Sequence, residues 1–361
     1  MKSFCLLSPI LFIIISIHQI AGNGIRVPLS KYVTGHRVHD QELYGTISIG
    51  TPPQKIKVLF DWELGVNHVL SSYCNDSVCR AQNHSTYEHR ISETFRSTKY
   101  DFDELIVVQT LGAEVTDTIT INNIQIPDVP FYVTKSSDLF KSKPYDGIVG
   151  LGYHSQILDY CKKIGFQRKV SLYIQDNNTS ELMLCGEDET KFRGNLKYFT
   201  ADYQLFSDSG WNINATMQSV FLRHAEEYAS TMEFPSTLFI LNPSSSYITG
   251  PEKYMEKIYK ALNTTISKIS NLTKEVDCKN IHTLPNITFR VGNNNFTLTG
   301  NDYIKQVTQN DQQVCILRLK SHKYETSNWV LGNVFNRKFY TVFDAETNTI
   351  GFAESIHDGS A

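Results

Sequence analysis

The chain has 361 residues, 41% apolar, 12% aromatic and 20% charged, with a formal net charge of -3 from 34 basic and 37 acidic side chains. That composition fits a globular protein with a sizeable core, and the near balance of charge argues against a nucleic-acid binder or a polybasic membrane-surface protein. The length predicts two domains, and the seven cysteines leave one over from any set of disulfides.

At the N-terminus, Met1-Lys2-Ser3-Phe4 leads into an apolar run from Cys5 to Ile17, broken by Ser8, Pro9 and Ser16 and followed by Ala21 and Gly22. A basic start, a compact apolar stretch and small residues form the pattern of a secretory signal peptide. The run is shorter than the ~20 residues a spanning helix needs. Residues 1–22 are therefore read as a cleaved signal, and no later segment reaches membrane length. Cleavage removes Lys2 and Cys5, which leaves 33 basic against 37 acidic residues, a charge of -4, and six cysteines. An even number in an oxidising compartment predicts disulfides. Nine Asn-X-Ser/Thr sites, at Asn75, Asn83, Asn177, Asn178, Asn214, Asn263, Asn271, Asn286 and Asn295, fit a secreted glycoprotein.

Further along, short runs rich in Val, Ile, Tyr, Phe and Thr recur between Gly, Pro, Asn and Asp. They include Gly45-Thr-Ile-Ser-Ile-Gly50, Lys55-Ile-Lys-Val-Leu-Phe60, Thr118-Ile-Thr-Ile-Asn122, Glu181-Leu-Met-Leu-Cys185, Trp211-Asn-Ile-Asn-Ala-Thr216, Thr237-Leu-Phe-Ile-Leu241, Ile287-Thr-Phe-Arg-Val291 and Phe339-Tyr-Thr-Val-Phe343. Strands at this density predict a mainly β protein, with a helix over residues 253–262. A faint repeat divides the chain near residue 200. One apolar run ends in Asp61 and another, Leu238-Phe-Ile-Leu241, in Asn242. Some eighty residues after each comes an apolar-apolar-Gly segment, Tyr145-Asp-Gly-Ile-Val-Gly-Leu-Gly152 or Asn328-Trp-Val-Leu-Gly332. A duplicated, two-lobed β protein fits that spacing.

These motifs resemble the pepsin-like aspartic peptidases. Leu43-Tyr-Gly-Thr-Ile-Ser-Ile-Gly-Thr-Pro-Pro-Gln54 is similar to the opening of their mature chains, and Tyr145 to Gly152 to their first-lobe apolar-apolar-Gly segment. Trp211-Asn-Ile-Asn-Ala-Thr-Met-Gln-Ser-Val220 resembles the strand that opens the second lobe. Ile248-Thr-Gly-Pro251, Leu284-Pro285 and the stretch from Val330 to Asp344 complete a collinear match over roughly residues 43–353. The resemblance implies a bilobal β fold with a peptide-binding cleft between the lobes. It divides the chain into a shortened prosegment-like strand over 23–42, an N-terminal lobe over 43–203 and a C-terminal lobe over 204–361. It implies a small first-lobe disulfide loop, Cys74 to Cys79, and a large second-lobe one, Cys278 to Cys315. Cys161 and Cys185 have no counterpart, so a bridge between them and two separate thiols both stand open.

The resemblance also implies a catalytic pair, one Asp from each lobe in an Asp-Thr-Gly-Ser/Thr loop. One ionised carboxylate draws a proton from a bridging water while its protonated partner donates to the scissile carbonyl. Two like charges so close cannot both ionise, which separates base from acid. Here the first loop reads Phe60-Asp61-Trp62-Glu63-Leu64 and the second Leu241-Asn242-Pro243-Ser244-Ser245-Ser246. Asp61 falls on the first catalytic position and Asn242 on the second. An amide cannot exchange the proton that the cycle passes, and Pro243 brings neither a hydroxyl nor a backbone N–H. Asp61 is expected as a simple acid hydrogen-bonded to the Asn242 amide. Glu63, on the same lobe as Asp61, is read as a cleft-lining charge, with Ser245 and the flap-position residue Leu105 as further cleft contacts; a gapped alignment recruits Tyr100 to the flap instead. Only residues 32–43 separate the prosegment-like Ile25-Arg-Val-Pro-Leu-Ser-Lys31 from Tyr44, where the family has a longer inhibitory segment.

No paired His lies near Cys74 and Cys79 at ligand spacing, and no Gly-X-Ser-X-Gly elbow surrounds Ser244 to Ser246, so neither a metal, a cofactor nor a serine nucleophile is expected. The chain reads as a secreted pepsin-like homologue that has lost proteolysis and binds a peptide or protein in its cleft. An aspartic endopeptidase with unusual loops, or an interaction or storage glycoprotein that does not use the cleft, are the other readings.

Overall fold

A computed structural model describes residues 24–33, 41–74, 79, 84–97, 113–135, 140–141, 143–175, 180–202, 210–222, 230–233, 237–267, 273–309, 311–323 and 328–357. The expected signal peptide, Leu105, Tyr100, Asn75, Asn83, Asn177, Asn178 and Asn271 lie outside them.

Strands dominate, and their burial follows the alternation of their side chains. In Ile287–Val291, Ile287, Phe289 and Val291 face the core while Thr288 and Arg290 do not. All eight sequence-predicted runs lie in or across strands, and the predicted helix is Glu252–Ala261. A second helix, Gln156–Lys163, buries Ile157, Leu158 and Cys161 and carries Lys162 and Lys163 in its last turn, where they complement the helix dipole.

Two eight-stranded sheets repeat one topology. In the first, Gln54–Asp61 runs parallel to Gly147–Gly150, which is antiparallel to His68–Leu70, itself parallel to Ile124–Thr134. In the second, Thr237–Leu241 runs parallel to Trp329–Leu331, which is antiparallel to Ile248–Pro251, itself parallel to Leu319–His322. The faint repeat in the sequence is this pair of structures. A bilobal pepsin-like β fold results.

A six-stranded antiparallel sheet joins them. Its order is Ile25–Pro28, Glu181–Leu184, Lys169–Tyr173, Phe339–Asp344, Thr349–Ser355 and Phe192–Thr200. It draws strands from both ends of the chain, including the prosegment-like segment and the last strands of the residues assigned to the second lobe. Ile25, Val27 and Leu29 are each no more than 3% exposed. One hydrophobic cluster runs through the sheets and contains Trp62, Trp211 and Phe343.

Three disulfides are present: Cys74–Cys79, Cys278–Cys315 and Cys161–Cys185. The last settles the pair left open by the sequence. It ties the helix Gln156–Lys163 to the end of the strand Glu181–Leu184. Of the potential glycosylation sites, Asn263, Asn286 and Asn295 are exposed, and Asn214 lies on the strand Asn212–Leu222. Among the described residues no helix is long and apolar enough to cross a membrane.

Candidate active site

The parallel strand pairs bring two loops face to face. In the first lobe the backbone turns at Asp61, whose Oδ1 accepts from the N–H groups of Glu63 and Leu64 at 2.8 and 2.9 Å. Such an Asx turn needs a short side-chain acceptor. The loop is held against the neighbouring strand end by Leu151 N–H to the Asp61 carbonyl, 2.7 Å, and Gly152 N–H to the Leu64 carbonyl, 2.8 Å. Gly150 N–H donates to Asn67 Oδ1 at 3.1 Å.

The second loop follows the same plan. Ser244 N–H donates to Asn242 Oδ1 at 3.1 Å, Ser245 N–H to the Asn242 carbonyl at 2.9 Å, and Asn333 N–H to the Ser245 carbonyl at 2.7 Å. Asp61 and Asn242 thus occupy corresponding turns, each seated on its own loop's backbone.

Two hydrogen bonds cross between these loops. Asn242 Nδ2 donates to Glu63 Oε1 at 2.9 Å, and Ser244 Oγ donates to the Phe60 carbonyl at 2.8 Å. The sequence predicted the Asn242 amide on Asp61; the structure puts it on Glu63. The Asx turn brings Glu63 round, and its extra methylene lets the carboxylate span to the facing lobe. Ser245 turns its hydroxyl to the Tyr247 carbonyl at 3.2 Å, within its own loop.

Beneath the first loop, Trp62 is buried. Its ring lies 5.9 Å from Phe343, which lies 5.3 Å from Trp211. Trp211 Nε1 donates to the Leu151 carbonyl at 2.7 Å, a further tie between the halves. The sequence shows Trp62 as a substitution in the loop; nothing local reveals it as part of an aromatic stack under the cleft.

Glu63 is exposed and Asp61 and Asn242 are partly so. The cleft walls still strip part of the Glu63 hydration, and this is the main cause that raises its pKa. The Asn242 hydrogen bond lowers it and the nearby Asp61 charge raises it. Beside Asp61, buried Tyr145 donates its hydroxyl to Glu42 Oε2 at 3.2 Å, and the other Glu42 oxygen pairs with Lys143. Burial, Glu42 and the charge of Asp61 all push the Tyr145 hydroxyl far up, so it stays protonated. Sequence reasoning quoted Tyr145 within a motif but missed Glu42 and Lys143, which nothing in their local sequence marks. Among the described residues no group of three or more His, Cys, Asp or Glu is placed to hold a metal.

Paired parallel-strand loops meeting across a cleft between two β lobes define the class of the aspartic-peptidase fold. A family profile for eukaryotic aspartyl proteases matches residues 42–355, and the chain belongs to that family. It is 27% identical to renin of Rattus norvegicus over 87% of this chain and 79% of renin. It is 27% identical to chymosin of Camelus dromedarius over 93% of this chain and 85% of the chymosin. Pepsin A of Rhinolophus ferrumequinum is 30% identical over 90% of this chain and 83% of the pepsin.

Proposed function

We propose that this is a secreted glycoprotein whose interlobe cleft binds an extended peptide or protein segment without cutting it. The observation that carries the reading is the hydrogen bond from Asn242 Nδ2 to Glu63 Oε1, 2.9 Å. Asp61 and Asn242 occupy corresponding turns, and the fold would need an acid at both. An amide in the second turn neither gives up nor takes a proton over the catalytic pH range. One of its N–H groups donates to Glu63 and its oxygen accepts from Ser244 N–H. Loss of one member of such a jointly acting pair costs several orders of magnitude in rate. Retained scaffold and cleft, with the proton relay interrupted, fit binding better than hydrolysis. The three disulfides and the exposed Asn263, Asn286 and Asn295 support an extracellular or lumenal setting.

The test is proteolysis itself. The mature protein is incubated with an unfolded protein between about pH 3 and about pH 6, where carboxylates titrate, with and without a statine-type transition-state mimic. No inhibitable cleavage is expected. Mimic-sensitive cleavage would overturn the reading. A ligand affinity unaffected by substitutions in the cleft would move the binding function to the outer surface.

The same hydrogen bond supports a second reading. Glu63 reaches the second turn, so the site still holds two carboxylates, Asp61 and Glu63, the number that separate base and acid roles require. Weak acid proteolysis would then depend on both, and Glu63→Gln would abolish it.

A further inference from the structure

The edge of a sheet can pair with another copy of the chain, and native edges are blunted by charged side chains, prolines or bulges. Among the described residues there are four sheets, each with two outermost strands, eight in all. Six of these strands carry a basic side chain: Arg26, Lys31, Arg96, Lys197, Lys305 and Lys320. Ser230–Glu233, which branches from the second eight-stranded sheet, ends in an acid. The two exceptions are Asn294–Leu298, at one end of that sheet, and Thr265–Ile266, at one end of a four-stranded sheet. Neither holds a charge, a proline or a register shift.

Each exception coincides with an Asn-X-Thr sequon. Asn295-Phe296-Thr297 lies within the first strand, and Asn263-Thr264-Thr265 runs into the second. We propose that N-linked glycans on Asn263 and Asn295 cap these two edges, as lysine and arginine cap the others, and keep copies of the chain from pairing strand to strand. The inference rests on the reading of the chain as a secreted glycoprotein.

The local geometry suits both attachments. Asn295 is exposed while Phe296 is buried, so the period of the strand turns the asparagine away from the core. Asn263 is exposed in a left-handed turn, φ 49°, just after the helix Glu252–Ala261. Three residues on, Ile266 is 63% exposed, an apolar side chain on an uncharged edge. Attachment joins Asn Nδ2 to C1 of the first sugar. The bond from C1 to a lipid-pyrophosphate carrier breaks, the pyrophosphate leaves, and Nδ2 loses one proton. Thr297 Oγ1 lies 2.9 Å from Thr288 Oγ1 across the hairpin, which fits attachment before the hairpin closes. The bulky oligosaccharide then stands over the space that a strand pairing at ~4.8 Å would fill. Asn286-Ile287-Thr288 is the internal contrast. Asn286 is exposed, but Ile287–Val291 has a neighbouring strand on each side and no edge to cap.

In the experiment the full chain is secreted from eukaryotic cells, its glycopeptides are mapped by mass spectrometry, and its mass in solution is followed by light scattering as concentration rises. Asn263 and Asn295 are expected to carry glycans, and the mass to stay constant. Asn263→Gln combined with Asn295→Gln should raise the mass toward about twice that of the wild type. Asn286→Gln should not. Asn263→Lys combined with Asn295→Lys lacks both glycans but charges both edges, and should also keep the wild-type mass. Near-ultraviolet circular dichroism checks that the variants fold, and trimming the folded wild-type glycans to their first sugar should reproduce the association without any substitution. Edge capping is overturned if the glutamine pair and the trimmed protein keep the wild-type mass, or if Asn286→Gln or the lysine pair associates as strongly as the glutamine pair. A glycan on Asn286 with none on Asn263 and Asn295 also overturns it and leaves the secreted-glycoprotein reading standing. No glycan on any of the three overturns both.

Discussion

At the scale of single residues, the centre of the cleft depends on how Glu63 and Asn242 answer each other. Asn242 keeps the turn geometry of an acid, because its Oδ1 accepts from Ser244 N–H as a carboxylate oxygen would. What it adds is an N–H donor, and Glu63 takes it. The raised pKa of Glu63 has a consequence for stability. Between its ordinary unfolded value and its higher folded value, the folded state holds more of the proton, so this group's contribution to stability falls as pH rises through that interval. Glu63→Gln should remove that slope. In urea unfolding across the carboxylate range, the wild-type stability relative to the variant should decline with rising pH; a constant difference would contradict the assignment. This contact is not readable from the sequence: its partners are 179 residues apart, and the position in the turn points the Asn242 amide at Asp61 instead. What was readable was which two residues the fold would bring to corresponding turns.

At the scale of elements, the corresponding turns require glycines where strand ends approach loop carbonyls. A Cβ on Gly332 would sit 2.3 Å from the Tyr247 carbonyl oxygen and 2.5 Å from that of Ser245; on Gly150 it would sit 2.6 Å from the carbonyl oxygens of Leu64 and Val66. Gly332 has a φ of -87°, which any residue adopts, so its requirement is space alone. Gly332→Ala should therefore destabilise by about 1–3 kcal/mol, the usual range for overpacking, read as a lowered urea midpoint with an unchanged slope. An unaltered midpoint would mean that the loop yields freely. These glycines belong to the apolar-apolar-Gly segments that the sequence marks in both halves. Strand identity was legible for a related reason: a strand such as Ile287–Val291 encodes its face by alternation within five residues. Pairing is not encoded that way. Nothing near Lys169–Tyr173 announces that Phe339–Asp344 will lie beside it, and the helix Gln156–Lys163 is too short for its periodicity to stand out. The Cys161–Cys185 bridge depends on that helix and on the strand Glu181–Leu184 pairing beside Lys169–Tyr173, neither of which is marked locally, which is why cysteine counting left it open.

At the scale of the whole molecule, the six-stranded sheet decides what the N-terminal segment is for. The sequence likened residues 25–31 to the start of a removable, inhibitory prosegment. In the fold, Ile25–Pro28 pairs with Glu181–Leu184 as the outermost strand, and Ser30–Val33 pairs with Gln41–Ile49 of the first lobe. Ile25, Val27 and Leu29 are buried in the common core, and full burial of an aliphatic side chain contributes roughly 1.5–3 kcal/mol. The ion pairs of Arg26 with Glu181 and Asp188, both 2.7 Å, add little because the guanidinium is 44% exposed. Losing the segment would also leave the backbone of Glu181–Leu184 as a bare sheet edge, a template for association with other chains. A chain beginning at Gln41 is therefore expected to lose several kcal/mol of stability, summed over the three side chains, and to aggregate on concentration. Thermal melting and light scattering of the two forms make the comparison. If the short form instead melts at the same temperature, stays monomeric and gains peptide affinity, the segment is a cleft blocker and not part of the structure. The burial of three alternate apolar residues in the sheet shared by both lobes argues for the first outcome.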